Sequence, residues 1–159
     1  MKRTKIKQLF LEQKEGNVLV YAWVRTNRAQ AQFGFLNIND GSTLANLQVV
    51  YDAKLENFEE ISKFRVGVSV LVKGNVILTP NAKQPLEVHA EEIVMLGDCP
   101  EDYPIQPKRH TREFLRENAH LRARTNLFNA VFRVRSVAAM AVHSYFQGQG
   151  YVYVHTPLI

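Results

Sequence analysis

From Asn17 to Tyr51 the chain reads NVLVYAWVRTNRAQAQFGFLNINDGSTLANLQVVY, three tracts of two-residue alternation separated by polar punctuation. In the first, Val18, Val20, Ala22 and Val24 face one way while Leu19, Tyr21, Trp23 and Arg25 face the other, the pattern of a half-buried strand. Gln32 to Asn39 repeats it, with Leu36 and Ile38 on one face and Phe33, Phe35, Asn37 and Asn39 on the opposite one. Asn46 to Tyr51 sets Leu47, Val49 and Tyr51 against Asn46, Gln48 and Val50. Between the second and third tracts, Asp40-Gly41 reads as a hairpin turn.

Beyond Tyr51 the period changes over Lys54 to Phe64. Leu55, Phe58, Ile61 and Phe64 fall on one helical face, and Glu56, Glu59, Glu60 and Lys63 on the other, which predicts a short amphipathic helix. Alternation returns in Val68 to Leu78, Thr79-Pro80-Asn81 turns the chain, and Pro85 to Leu96 supplies a last strand. Three strands, a helix and two strands are the order of an OB-fold, a five-stranded Greek-key barrel whose second and third strands commonly meet oligonucleotides. An unrelated small barrel with the same count also fits the pattern. Upstream, Lys2 to Lys14 mixes basic residues with Ile6, Leu9, Phe10 and Leu11 and is compatible with a short strand or a short helix.

Gly97 to Pro107 carries Pro100, Pro104 and Pro107 and reads as a stiff extended linker. The domains expected are therefore a barrel over residues 1–98, a hinge over 99–110 and a separate segment over 111–159. In that last segment Leu127, Val131, Val134, Ala138, Ala141 or Val142, and Tyr145 recur at steps of three and four, one apolar face of a long helix. Gly148 or Gly150 should end it. Tyr151 to Val154 is aromatic and β-branched, hence strand-like, and Pro157 removes a backbone donor, which places His155-Thr156-Pro157 at a sheet edge or an interface. From Ser136 onward the chain has no Asp, Glu, Lys or Arg. The glycines interrupt it too early for a membrane span, so no membrane partner is expected, and an uncharged helix and strand there read as half of an interface.

Composition bounds the function. The chain has 159 residues and is 46% hydrophobic, enough for a compact core. The single cysteine, Cys99, cannot form an internal disulfide, and no secretory leader is evident, so a cytoplasmic protein is expected. Five dispersed histidines, with no CxxC or HExxH spacing, point to no metal site. Net charge is +5, unevenly spread. Residues 1–28 hold seven Lys or Arg against two acids, 29–103 hold five against eleven, and 104–135 hold eight against two. Two basic regions flanking an acidic middle suit a ligand whose phosphate backbone is met in two places.

The residues that could act on such a ligand lie on the polar face of the second and third strands. Phe33 and Phe35 stand opposite Leu36 and Ile38, alongside asparagines and across from Gln48. A base stacks on an aromatic ring for about 1–3 kcal/mol while a neighbouring polar side chain reads its edge, the usual means of binding single-stranded RNA. No catalytic set can be assembled.

The run YPIQPKRHTREFLRENAHLRARTNLFNAVFRVRS, from Tyr103 to Ser136, followed by a long helix and YVYVHTPLI, closely resembles the segment leading through motif 1 of bacterial-type asparaginyl-tRNA synthetases, class II enzymes of the aspartyl, asparaginyl and lysyl subgroup. With the front of the chain, the resemblance extends over essentially its whole length. It implies an amino-terminal OB-fold that grips the tRNA(Asn) anticodon loop, with the central uridine stacked on Phe35 of FGFLNI. It further implies roles for Arg25 in AWVRTNR, Gln48 in LQVV and Glu87 in PLEVHA, with Arg28 and Phe33 as additional candidates. Glutamine can donate to a uracil oxygen and accept from its ring N–H, arginine adds a phosphate or carbonyl contact, and a carboxylate can accept both Watson-Crick-edge N–H groups of guanine. Pro157 matches the motif 1 proline of the twofold dimer interface. His155 departs from the acidic residue of aspartyl enzymes at that place, which favours the asparaginyl branch.

The parent reaction implied activates asparagine with ATP and magnesium as an adenylate and transfers it to tRNA. The arginines of motifs 2 and 3 that bind ATP would lie beyond Ile159, so the chain is expected to be a fragment that is inactive alone and binds no cofactor itself. A free-standing OB module for single-stranded nucleic acid, a dimerisation fragment, or a piece of a related aspartyl enzyme are the competing readings.

Overall fold

A computed structural model of the chain describes residues 2–82 and 84–157. Its contacts divide it into two units, residues 1–111 and residues 112–159. In the first, β1 (Gly16–Ala29), β2 (Phe33–Asn39), β3 (Leu47–Asp52), β4 (Ser69–Leu78) and β5 (Leu86–Gly97) close a barrel in the order β1-β2-β3-β5-β4. This is the expected OB-fold. Closure depends on the length of β1: Gly16 to Trp23 pair with β4, and Trp23 to Ala29 pair with β2. One strand thus joins two neighbours and leaves no free edge between them. The β3–β5 contact is parallel and the other four are antiparallel.

The alternation in the sequence sorts the side chains as it should. Val18, Val20, Ala22 and Val24 of β1, Leu36 and Ile38 of β2, and Leu47, Val49 and Tyr51 of β3 are buried together with Val70, Val72, Val76, Leu86, Val88 and Ile93. Each such aliphatic side chain contributes about 1.5–3 kcal/mol relative to exposure. Tyr51 is the largest of them, and it fits because residue 34 is glycine: a Cβ there would sit 2.2 Å from the tyrosine ring. Its hydroxyl donates to Asn27 Oδ1 at 2.8 Å, and Asn27 Nδ2 in turn donates to the Ile61 carbonyl at 2.7 Å. Burial pushes the phenol pKa above 10.0, against the opposing effect of the Asn27 hydrogen bond.

Helix α1 (Ile6–Glu12) resolves the ambiguous amino-terminal stretch, with Ile6 and Leu9 buried in the barrel core. Its N-cap, Lys5, has no side-chain acceptor to offer the free N–H groups of the first turn. The β2–β3 loop supplies them. Asp40 Oδ2 accepts from the Ile6 amide at 3.0 Å, and Ser42 Oγ accepts from the Lys7 amide at 2.9 Å. Asp40-Gly41 therefore does not make the tight hairpin expected of it. Residues 40–46 form a longer loop, because Asp40 is engaged with Ser42 and α1 instead of closing a two-residue turn.

Helix α2 (Phe58–Ser62) is shorter than the predicted Lys54–Phe64, since Asp52 Oδ1 accepts from the Lys54 amide and holds the preceding residues in turns. The predicted apolar face survives: Ile61 and Phe64 are buried, and Leu55 and Phe58 pack against the core. Residues 99–105 do not run as an extended spacer. Cys99 is buried in the core cluster, Tyr103 packs against that cluster and Ile105 is buried, because apolar residues interleave with the prolines.

The second unit contains α3 (Arg112–Glu117), a 3-10 turn (Arg122–Arg124) and α4 (Asn126–Gly148). Thr125 caps α4, its hydroxyl accepting from the Phe128 amide at 3.4 Å, and the Arg122 guanidinium lies over the rings of Phe128 and Phe132. The helix ends on Gly150, whose φ of 87° is the left-handed geometry of a Schellman motif. Tyr151 N–H donates to the Phe146 carbonyl, Gly150 N–H donates to that of Gln147, and the Tyr151 and Phe146 rings meet edge to face. No residue of α4 is buried, and Val134, Val137, Met140 and Tyr145 are exposed. The strand expected at Tyr151 to Val154 does not form: residues 151–157 have no ladder partner among the described residues, and a strand without a neighbour leaves its backbone groups unpaired. Leu158 and Ile159, at the end of the same tract, lie outside the described residues.

Candidate nucleic-acid interface

Strand register aligns the outward side chains of the barrel into two rows. Arg28 on β1 stands opposite Phe35 on β2, Phe35 opposite Val50 on β3, and Val50 opposite His89 on β5. In the adjacent row Thr26 is opposite Asn37, and Asn37 opposite Gln48. Because β3 and β5 run parallel with Val49 abreast of Val88, the same row continues from Gln48 to Glu87. Four strands thus present one continuous surface.

The first row is aromatic and cationic. Phe35 is half-buried, with its ring packed edge to face against Phe33 at 5.5 Å between centroids. The Arg28 guanidinium lies 6.0 Å from the Phe35 centroid, at the limit of a cation–π contact, and keeps a positive charge beside the ring. Phe33 is 37% exposed, so both rings retain accessible surface.

The second row is polar. Asn37 Nδ2 donates to Thr26 Oγ1 at 3.0 Å, and Gln48 Nε2 donates to Glu87 Oε2 at 2.9 Å. The other oxygen, Glu87 Oε1, lies 2.9 Å from His89 Nε2. Amide, carboxylate and imidazole therefore form a chain across β3 and β5, with acceptors and donors facing outward beside the aromatic ring. Such a surface offers what an unpaired base needs, an apolar face and an edge-reading group side by side.

The remaining candidate, Arg25, occupies the irregularity between Val24 and Thr26, where β1 has one more residue than β2. A bulge of this kind bends the strand and redirects a side chain. Arg25 is half-buried there, on the same strand as Arg28. Of the predicted residues, Phe35, Phe33 and Arg28 form one group and Gln48 and Glu87 another, on neighbouring rows. His89, Asn37 and Thr26 were not singled out from the sequence. His89 was legible, lying two residues after Glu87 and so on the same face, whereas the bulge hid Thr26 by shifting the alternation.

Beside this surface a cleft of about 710 Å³ is lined by Thr26, Arg28, Asn37, Arg65 and Gln106, among others. Arg65 pairs with Glu101 at 2.6 Å at its rim. Pro157 is exposed in the second unit.

Comparison with known proteins agrees with the geometry. Residues 18–96 match the family model described as OB-fold nucleic acid binding domain. The chain is similar to the asparagine-tRNA ligases of Clostridium novyi (strain NT), 52% identical, and Clostridium acetobutylicum, 55% identical, in each case over 100% of this chain and 35% of the relative. It thus spans about a third of the length of the curated relatives it matches. Among solved structures, asparaginyl-tRNA synthetase from Pyrococcus horikoshii superposes with a TM-score of 0.86 at 26% identity, over 99% of this chain and 38% of that one. Through its barrel and along its whole matched length, the chain belongs to the asparagine-tRNA ligase family.

Proposed function

We propose that the barrel grips the anticodon loop of tRNA(Asn), as the anticodon-binding part of an asparagine-tRNA ligase. The observation that carries this reading is the juxtaposition of the Phe35 ring, backed by Arg28, with the Gln48–Glu87 pair on the next row. The central uridine stacks on Phe35 while Gln48 reads its edge, Glu87 accepts from the neighbouring guanine, and Arg25, Arg28 and Phe33 support the backbone and the stack. Stacking supplies affinity and base-edge hydrogen bonds supply selection.

In this reading residues 1–98 are the anticodon-binding domain, 99–110 a connection whose first half packs on the barrel core, and 111–159 the start of a class II catalytic domain including motif 1. The parent reaction joins asparagine to tRNA at the expense of ATP, giving AMP and pyrophosphate. Among the described residues no group of three or more His, Cys, Asp or Glu side chains is placed to hold a metal ion. The apolar exposed face of α4 and Pro157 serve the homodimer of the parent enzyme. No helix among the described residues is long and apolar enough to cross a membrane, and the site of action is the cytoplasm, where tRNA is charged.

Fluorescence anisotropy with a labelled RNA stem-loop carrying the asparagine anticodon tests the proposal. Replacing the central uridine by any other base should weaken binding roughly tenfold or more. Equal affinity for all four loops would instead identify a general binder of single-stranded RNA.

A further inference from the structure

The chain of side chains from β3 to β5 settles which way the Gln48 amide faces. An ionised carboxylate only accepts hydrogen bonds, so both of its neighbours must present N–H groups. Gln48 therefore turns its amide nitrogen toward Glu87 Oε2, and His89 carries its proton on Nε2 to donate to Glu87 Oε1, each at 2.9 Å. The Glu87 side chain is only 21% exposed, which limits competition from water for these bonds. One N–H of Gln48 and its Oε1 remain for a ligand, in a fixed order.

That order discriminates between pyrimidines. Uracil presents an acceptor, O4, next to a donor, N3–H; cytosine presents a donor, N4–H, next to an acceptor, N3. A primary amide with its nitrogen on one side matches uracil, and the same amide rotated by a half turn matches cytosine. Gln48 alone has no preference between the two rotations, which differ only by exchange of O and NH2.

We propose that Glu87, held in place by His89, locks the Gln48 amide in the rotation that reads uracil, so that Glu87 and His89 are positioning residues for the central base of the anticodon. This rests on the anticodon reading above and adds to it a residue, His89, and a coupling between two base-reading positions. Glu87 acts on a base it does not have to touch. The effect of changing it therefore appears as a loss of selectivity at the central position, separate from any loss of affinity at the neighbouring one.

The test uses the full 159-residue chain and two stem-loops that differ only by uridine or cytidine at the central anticodon position. The wild-type chain should prefer uridine by roughly tenfold or more. In Glu87→Gln the new amide can either accept from Gln48 or donate to it, so both rotations are satisfied and the preference should fall below about threefold. His89→Ala should reduce the preference part of the way, and His89→Gln, which keeps an N–H donor, should restore it. Thermal melts confirm that each variant is folded, and the two His89 variants carry the test alone if Glu87→Gln is not. A merely structural role would weaken binding to both loops equally and leave the ratio at its wild-type value, and that result overturns the proposal while leaving the anticodon reading intact. A wild-type chain with no preference for uridine over cytidine would overturn the reading of Gln48 itself.

Discussion

Phe35 is set in place before any ligand arrives: Phe33 fixes one edge of its ring, and Arg28 across the strand pair supplies a positive charge beside it. Phe35→Ala should weaken binding to the asparagine anticodon loop by about 1–3 kcal/mol, the worth of one base stack, and leave the melting temperature nearly unchanged because the ring lies on the outer face. Unchanged affinity in a folded variant would show that no base stacks there. Tyr51 is the inward counterpart on β3. Its folded-state pKa is raised above 10.0 by burial, so the protonated phenol stabilises the fold in full below pH 10.0, and that stability is lost as pH rises toward the folded value. Urea denaturation across this alkaline range should show stability declining in the wild type. In Tyr51→Phe the decline should be shallower, from a starting stability lower by about 1 kcal/mol for the lost bond to Asn27.

Among the elements, α1 depends most on residues distant in sequence. Its first-turn amides are satisfied by Asp40 and Ser42, more than thirty positions away, so the loop between β2 and β3 and the helix hold each other. Asp40→Ala should cost about 0.5–2 kcal/mol in urea denaturation, the usual value of a lost cap, and should release the amide of Ile6 to faster hydrogen exchange. An exchange rate identical to the wild type would mean that the cap contributes nothing in solution. Helix α4 is the opposite case. It is capped at both ends by neighbours in sequence, Thr125 at the start and the Gly150 turn at the finish, yet it buries no side chain. Local signals make the helix, and its apolar face stays exposed among the described residues.

At the scale of the whole molecule, residues 1–111 contain a closed barrel with its own core, and residues 112–159 form a separate compact unit. Deleting residues 125–159 should leave a folded barrel whose affinity for the anticodon loop is unchanged. It should also abolish any self-association seen by sedimentation of the full chain, since the exposed Val137, Met140 and Phe146 go with the deleted helix. A truncated chain that failed to fold would overturn the independence of the barrel. The sequence alone determined the five barrel strands, the two faces of the first three, the helix after β3 and the candidates Phe35 and Gln48, because a two-residue repeat is set by the local geometry of a strand and needs no partner to be read. It also determined that α4 ends near Gly148 or Gly150, since a C-terminal cap lies within a few residues of the turn it satisfies. Only the tertiary structure decided that Asp40 caps α1 rather than closing a hairpin, that Cys99 is core rather than linker, and that Tyr151 to Val154 forms no strand. The β1 bulge at Arg25 and the pairing of Gln48 with Glu87 and His89 belong with these, for one physical reason. Each depends on which backbone or side chain lies across a gap between segments distant in sequence, and no local pattern encodes that.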